Sequence, residues 1–246
     1  MKEPEGATLD ITYRPVWETD APQVDLFQAR PILRTADGEE IPNYMPLVRL
    51  TTIDATMKRQ VTYLNQAIQA LRVRFTRGER FRLLVRINSL ALATSEAASV
   101  VTEVFRGLSK EERDHMVIEV SDFPQNMSLD NMDDITIPLM PFFDNLLACP
   151  ELDRTDYTLF ANLNYAGVTM HLNDKPMDLN LAGKLFSLFS SRAAPRRLPM
   201  WVLGIPSQDV ANVARMSEAA VLSGAYMDAD SVMPGPVITD NRPFMV

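Results

Sequence analysis

Residues 115 to 122 read HMVIEVSD, an apolar run with one carboxylate, Glu119, set inside it. An acid near the exit of a strand can hold a cation. It can equally sit at a wet barrel mouth with only water and a backbone donor, and this plain reading weighs at least as much. Asn88 closes the run FRLLVRIN and is read either as a site residue or as a hydrogen-bonded turn initiator. Arg86 stands two positions earlier and could face a phosphate. The leading reading of the run Arg72, Arg74, Arg77, Arg80, Arg82 and Arg86 is nonetheless a solvated face. His115 and His171 are the only histidines and are read as structural or solvent-facing rather than catalytic. Cys149, before Pro150 at an expected helix end, has no histidine base evident in the sequence and is taken as a small core residue. The fourteen methionines are read as core filler.

The elements that must position these groups follow from hydrophobic period. Strands are expected at 11–17, 24–34, 81–88, 115–121, 167–173, 199–205 and 225–229. Several are apolar nearly throughout, as strands covered on both faces are. Met57, Val61, Leu64, Ile68 and Leu71 lay an apolar stripe along one helix. Val100, Val101, Val104, Phe105 and Leu108 do so along a second, capped at Thr94 or Ser95. A third is expected over 207–222, opening at Ser207 and stopping before Gly224. Asp130, Asp133 and Asp134 read as acids favoured by a helix N-terminus. Residues 150–166 are compatible with a strand or a helix end. The alternation of strand and helix predicts an α/β fold built from βα units.

Bulk properties narrow the function classes. With 46% hydrophobic and 23% charged residues the chain can bury a large core, and no linker divides it. A net charge of −8 repels phosphate backbones, which disfavours nucleic-acid partners. No apolar stretch reaches the ~20 residues of a membrane span, and the start MKEPEGATLD lacks the features of a secretory signal. One cysteine fits a reducing compartment. The expected location is the cytoplasm.

Six segments, in order, resemble EAL-type domains, the phosphodiesterases that linearise cyclic di-GMP. ITYRPVWETDAPQVDLFQARPILR resembles the opening of such domains through the Glu-Ala-Leu strand. GEEIPNYMPLVRL is similar to the segment that follows. LLVRINSLAL resembles the Val-Asn-Leu-Ser strand, VIEVSD the Glu-Ile-Thr-Glu strand, and AGVTMHLND the strand ending in Asp-Asp. VLGIPSQDVANVARMSEAAVLSGAYMDA resembles the Glu-Gly-Val-Glu strand, its helix and the final strand. The resemblance implies an EAL-like modified (β/α) TIM barrel over 11–236, with an extension at 1–10 and a tail at 237–246. No segment matches the strand that carries the family's lysine. One βα unit is therefore shortened, missing, or placed in the ambiguous region.

Carried over residue by residue, the family's site is depleted. The motif glutamate falls on Gln28, and the phosphate-contacting arginine falls on Ile32, with Arg34 as a substitute two residues later. Asn88 and Glu119 match. The Asp-Asp pair becomes Asn173 and Asp174, the two glutamates of Glu-Gly-Val-Glu become Leu203 and Pro206, and the final glutamine becomes Asp228. Gln28, Asn88, Glu119, Asn173, Asp174, Leu203, Pro206 and Asp228 thus form a vestigial site without catalytic or metal-binding capacity. Two activating cations need several hard, mostly anionic oxygens.

The resulting expectation is an inactive EAL-like domain that acts in bacterial signalling through protein contacts, as a homodimer and without a cofactor. The alternatives are a non-hydrolysing receptor for cyclic di-GMP, using Arg34 or Arg86 on phosphate, and a divergent metal-dependent phosphodiesterase rebuilt on Glu119, Asp174 and Asp228. Both rank lower.

Overall fold

The computed structural model describes residues 6–21, 23–42, 52–123 and 128–239. Its strands are β1 (Thr8–Glu18), β2 (Leu26–Arg34), β3 (Glu40–Pro42), β4 (Arg82–Asn88), β5 (Met116–Ser121), β6 (Leu146–Cys149), β7 (Gly167–His171), β8 (Met200–Leu203) and β9 (Ala219–Ser223). Its helices are α1 (Ile53–Phe75), α2 (Ser95–Arg106), α3 (Lys110–Asp114), α4 (Leu129–Thr136), α5 (Thr158–Asn162), α6 (Leu179–Ala193) and α7 (Gln208–Met216). The side chains of Thr52, Thr94, Ser109, Asp178 and Ser207 cap α1, α2, α3, α6 and α7, each accepting a hydrogen bond from a first-turn amide.

The sheet runs β1-β9-β8-β7-β6-β5-β4-β2 and closes through β1 on β2, so eight strands form the predicted α/β barrel, with β3 hung on the outer part of β2. Strands β2 and β4 to β9 are parallel, and β1 runs against both of its neighbours. Strand pleat assigns the two faces. Met116, Ile118 and Val120 of β5 join the large core between barrel and helices, while Val117 turns inward. Val16, Leu26, Leu84, Val117, Leu147, Trp201, Leu203 and Val221 fill the base of the barrel as one apolar cluster.

Three expectations change. The extra strand is Leu146–Cys149, so Cys149 stands in β6 and not at a helix end. The shortened unit is the one beginning there, since its helix α5 spans only Thr158–Asn162. The last helix stops at Met216 and the last strand is Ala219–Ser223, ahead of the expected 225–229. Glu218, at φ 63°, reverses the chain between them, a left-handed turn that the alanines of EAAVLS conceal. Residues 43–50 of the GEEIPNYMPLVRL segment lie outside the described residues, as do 1–5 and 240–246 of the expected termini.

Candidate functional site

Above the apolar base, the inward positions of the barrel turn polar. Glu119 on β5 is fully buried. Its Oε2 accepts from Arg86 Nε of β4 at 2.8 Å, and its Oε1 accepts from His171 of β7 at 2.6 Å and from the Thr169 hydroxyl. Burial pushes the Glu119 carboxyl up, but the neighbouring Arg86 guanidinium and His171 outweigh it and hold the group well below the usual carboxylate range. Burial and the charge of Arg86 hold His171 below its ordinary value, so its ring is neutral and Nε2–H donates to the carboxylate. Cys149 on β6 lies between β5 and β7, and the Arg86 guanidinium approaches its Sγ at 3.9 Å. Burial and the negative charge of Glu119 push the thiol up to about 12, so Cys149 is no ready nucleophile. Ligand atoms of Glu119, Cys149 and His171 all lie within 4.8 Å of one another, which makes them the group able to share one metal ion among the described residues.

A second network covers the rest of the mouth. Arg14 of β1 makes two bonds to the Asp174 carboxylate, at 2.7 and 2.8 Å, and donates through Nε to Asp230. Arg30 of β2 donates Nη1 to both oxygens of Asp230 at 2.6 Å and Nη2 to Asp174 Oδ2 at 2.9 Å. Both arginine side chains are at most 6% exposed. Burial pushes Asp174 up, but its bonds from Arg14 and the Ala225 amide hold it below the ordinary carboxylate value. Asp174 follows β7, four strands around the ring from β2, so the Arg30–Asp174 pair spans the barrel. Beside the Glu119 network lies a cavity of about 200 Å³, lined by Arg86, Asp122, Cys149, Glu151, Met170 and His171 among others.

No protein-family profile and no curated protein matches the chain. Solved structures do. The PaMucR phosphodiesterase in complex with c-di-GMP superposes with a TM-score of 0.70 at 14% identity over 92% of each chain. The Xanthomonas citri FimX EAL domain in complex with c-di-GMP superposes with a TM-score of 0.65 at 16% identity, over 95% of this chain and 90% of that one. The Bacillus subtilis YkuI protein, with an EAL domain, in complex with substrate c-di-GMP and calcium, gives 0.69 at 11% identity over 93% of this chain and 56% of that one. This chain has the EAL-domain fold.

The EAL-like barrel distributes the sequence-predicted residues unevenly. Gln28 is buried in β2, at the register position of Arg14. Asn88 ends β4, where its Oδ1 accepts from the Leu90 amide at 2.9 Å and its Nδ2 donates to Asp122 at 3.3 Å, a capping role. Leu203 belongs to the apolar base and Pro206 lies beyond β8. Asn173 is an exposed residue in left-handed conformation. Asp228 accepts from the Trp17 indole at 2.7 Å, and burial raises its carboxyl. Arg34 pairs with Glu40 and Asp10 at the outer end of β2, while Arg86 points inward to Glu119. Residue reasoning missed His171, Cys149, Arg14, Arg30 and Asp230. Alternation within β7 would have placed His171 on one face with Thr169; Cys149 had no such signal until LLAC is a strand.

Proposed function

We propose that this chain is a catalytically inactive EAL-like domain that acts in bacterial signalling through protein contacts. One observation carries the reading: all four oxygens of Glu119 and Asp174 already accept from side chains of the barrel, three of them from arginines, which leaves no set of free anionic oxygens for two hard cations. Two such cations require several free, mostly anionic oxygens. Both Glu119 oxygens are engaged by Arg86, His171 and Thr169, and both Asp174 oxygens by Arg14 and Arg30. Asn88 caps a turn, and Leu203 offers no ligand. The residues present do not fit a pair of hard cations.

Homodimer formation in the cytoplasm completes the proposal. Its support is apolar surface beside the barrel: Val100 is exposed on α2 in a groove shared with Val61 of α1, and Ile137 and Met140 are exposed after α4. The decisive experiment is a thermal-shift titration with cyclic di-GMP, with and without Mg²⁺, beside a hydrolysis assay in Mg²⁺ or Mn²⁺. No shift and no turnover are expected. A saturable shift of RT ln(1 + [L]/Kd) without turnover would replace this reading with the receptor one that the c-di-GMP complexes of the superposing structures favour. Turnover lost in Glu119→Ala would restore an enzyme.

A further inference from the structure

We propose that Glu119, Cys149 and His171 form a site for one borderline-soft divalent cation, Zn²⁺ foremost, with its fourth position open to the cavity at the barrel mouth. This site is distinct from one for two hard cations, because its donors are a thiol sulfur, an imidazole nitrogen and a single carboxylate oxygen. That set selects zinc over magnesium or calcium.

Three observations meet here. First, the donor atoms come from three consecutive parallel strands of a closed barrel, β5, β6 and β7, which hold them within 4.8 Å of one another. Tetrahedral zinc, with bonds of about 2.0–2.3 Å, sets its ligand atoms roughly 3.4–3.6 Å apart. The His171–Glu119 contact of 2.6 Å then opens by somewhat under 1 Å, and the sulfur closes by at most a little more than that. Second, the Glu119 carboxylate is already oriented by Arg86 on Oε2 and by Thr169 on Oε1, the kind of hydrogen-bonded support that ligating carboxylates carry. Third, Cys149 and His171 both line the cavity, so an ion has a route in and a place for a fourth ligand.

The protons balance simply. The Cys149 thiol gives up its proton to solvent as the Zn–S bond forms, a deprotonation that the ion's own charge drives. The Nε2 proton of His171 is exchanged for one on Nδ1, which frees Nε2 to coordinate. With the Cys149 thiolate and the Glu119 carboxylate the ion is neutralised, and Arg86 leaves the cluster with one net positive charge. The open position therefore suits an anionic ligand such as hydroxide or inorganic phosphate.

The test uses the full chain, stripped with a chelator and titrated with Co²⁺ as a spectroscopic stand-in for zinc. The expected result is one ion per chain, intense visible bands of tetrahedral cobalt, and a thiolate-to-cobalt charge-transfer band that Zn²⁺ bleaches. Cys149→Ser should remove the charge-transfer band, and His171→Ala should weaken binding at least tenfold. Zn²⁺ should raise the melting temperature of the parent chain while Mg²⁺ and Ca²⁺ leave it unchanged. Because Cys149→Ser is nearly isosteric, its own melting temperature without metal separates misfolding from lost ligation. Weak octahedral cobalt bands, or a Zn²⁺ shift of equal size in parent and Cys149→Ser, would overturn the site. Those outcomes leave the inactive-domain reading standing, and hydrolysis of cyclic di-GMP with Mg²⁺ would sink that reading without touching this one.

Discussion

Glu119 is the one fully buried acid among the described residues, and it neutralises a guanidinium that has little solvent of its own. The Arg86 side chain is 13% exposed and Glu119 is fully buried, so removing either leaves a buried charge without its partner. Glu119→Ala is expected to cost about 3–5 kcal/mol in urea unfolding. The double variant Glu119→Leu with Arg86→Met should recover most of that loss, since it removes the charge along with its counter-ion. A cycle in which the two single changes simply add would show that the pair is not coupled.

At the scale of elements, the join between β2 and β4 is one of the short seams of the barrel, and a helix bridges it. Their ladder covers only Leu26–Gln28 against Arg82–Leu84, after which the strands part and β3 takes over the edge of β2. Helix α1 fills the gap with side chains. Tyr63, fully buried, donates to the Ala29 carbonyl at 2.9 Å and accepts from the Arg86 amide at 3.3 Å. Gln60 donates to the Arg86 carbonyl at 2.8 Å and accepts from the Asn88 amide at 3.1 Å. These bonds stand where ladder bonds would, and they fix the backbone of the strand that aims Arg86. Tyr63→Phe leaves buried backbone groups unsatisfied and should cost about 1–3 kcal/mol. Amide exchange at Arg86 should quicken in that variant; an unchanged rate would assign the seam's strength elsewhere.

At the scale of the whole molecule, the Arg14–Asp174–Arg30–Asp230 network ties the two antiparallel opening strands to the loops beyond β7 and β9. The C-terminal segment continues the tie, with Ser231 paired to Tyr13 and Ile238 to Val24. Asp174 titrates below its ordinary value of 3.8 in the folded chain, because its arginine and amide bonds outweigh burial. A carboxylate depressed in this way contributes its full stability above the unfolded value, near pH 4, and loses it as pH falls through the lower folded value. Global stability should therefore drop below about pH 4, and Asp174→Asn should flatten that part of the profile while lowering stability at neutral pH. An acid limb identical in parent and variant would remove Asp174 from the account.

Alternating strand and helix, caps at Thr94 and Ser207 and the one-sided stripe on α1 were legible in the residues alone, because period and capping are local properties of a chain. LLAC and EAAVLS were not legible, since runs of four or five residues are too short to show a period of their own and become strands only when a closing barrel supplies both neighbours. The inward gathering of Arg86, Glu119, Cys149 and His171, and the reach of Arg30 to Asp174, depend on closure in the same way. Residues far apart in sequence share one mouth only after the ring is complete, and no local pattern encodes which strands will face each other across it.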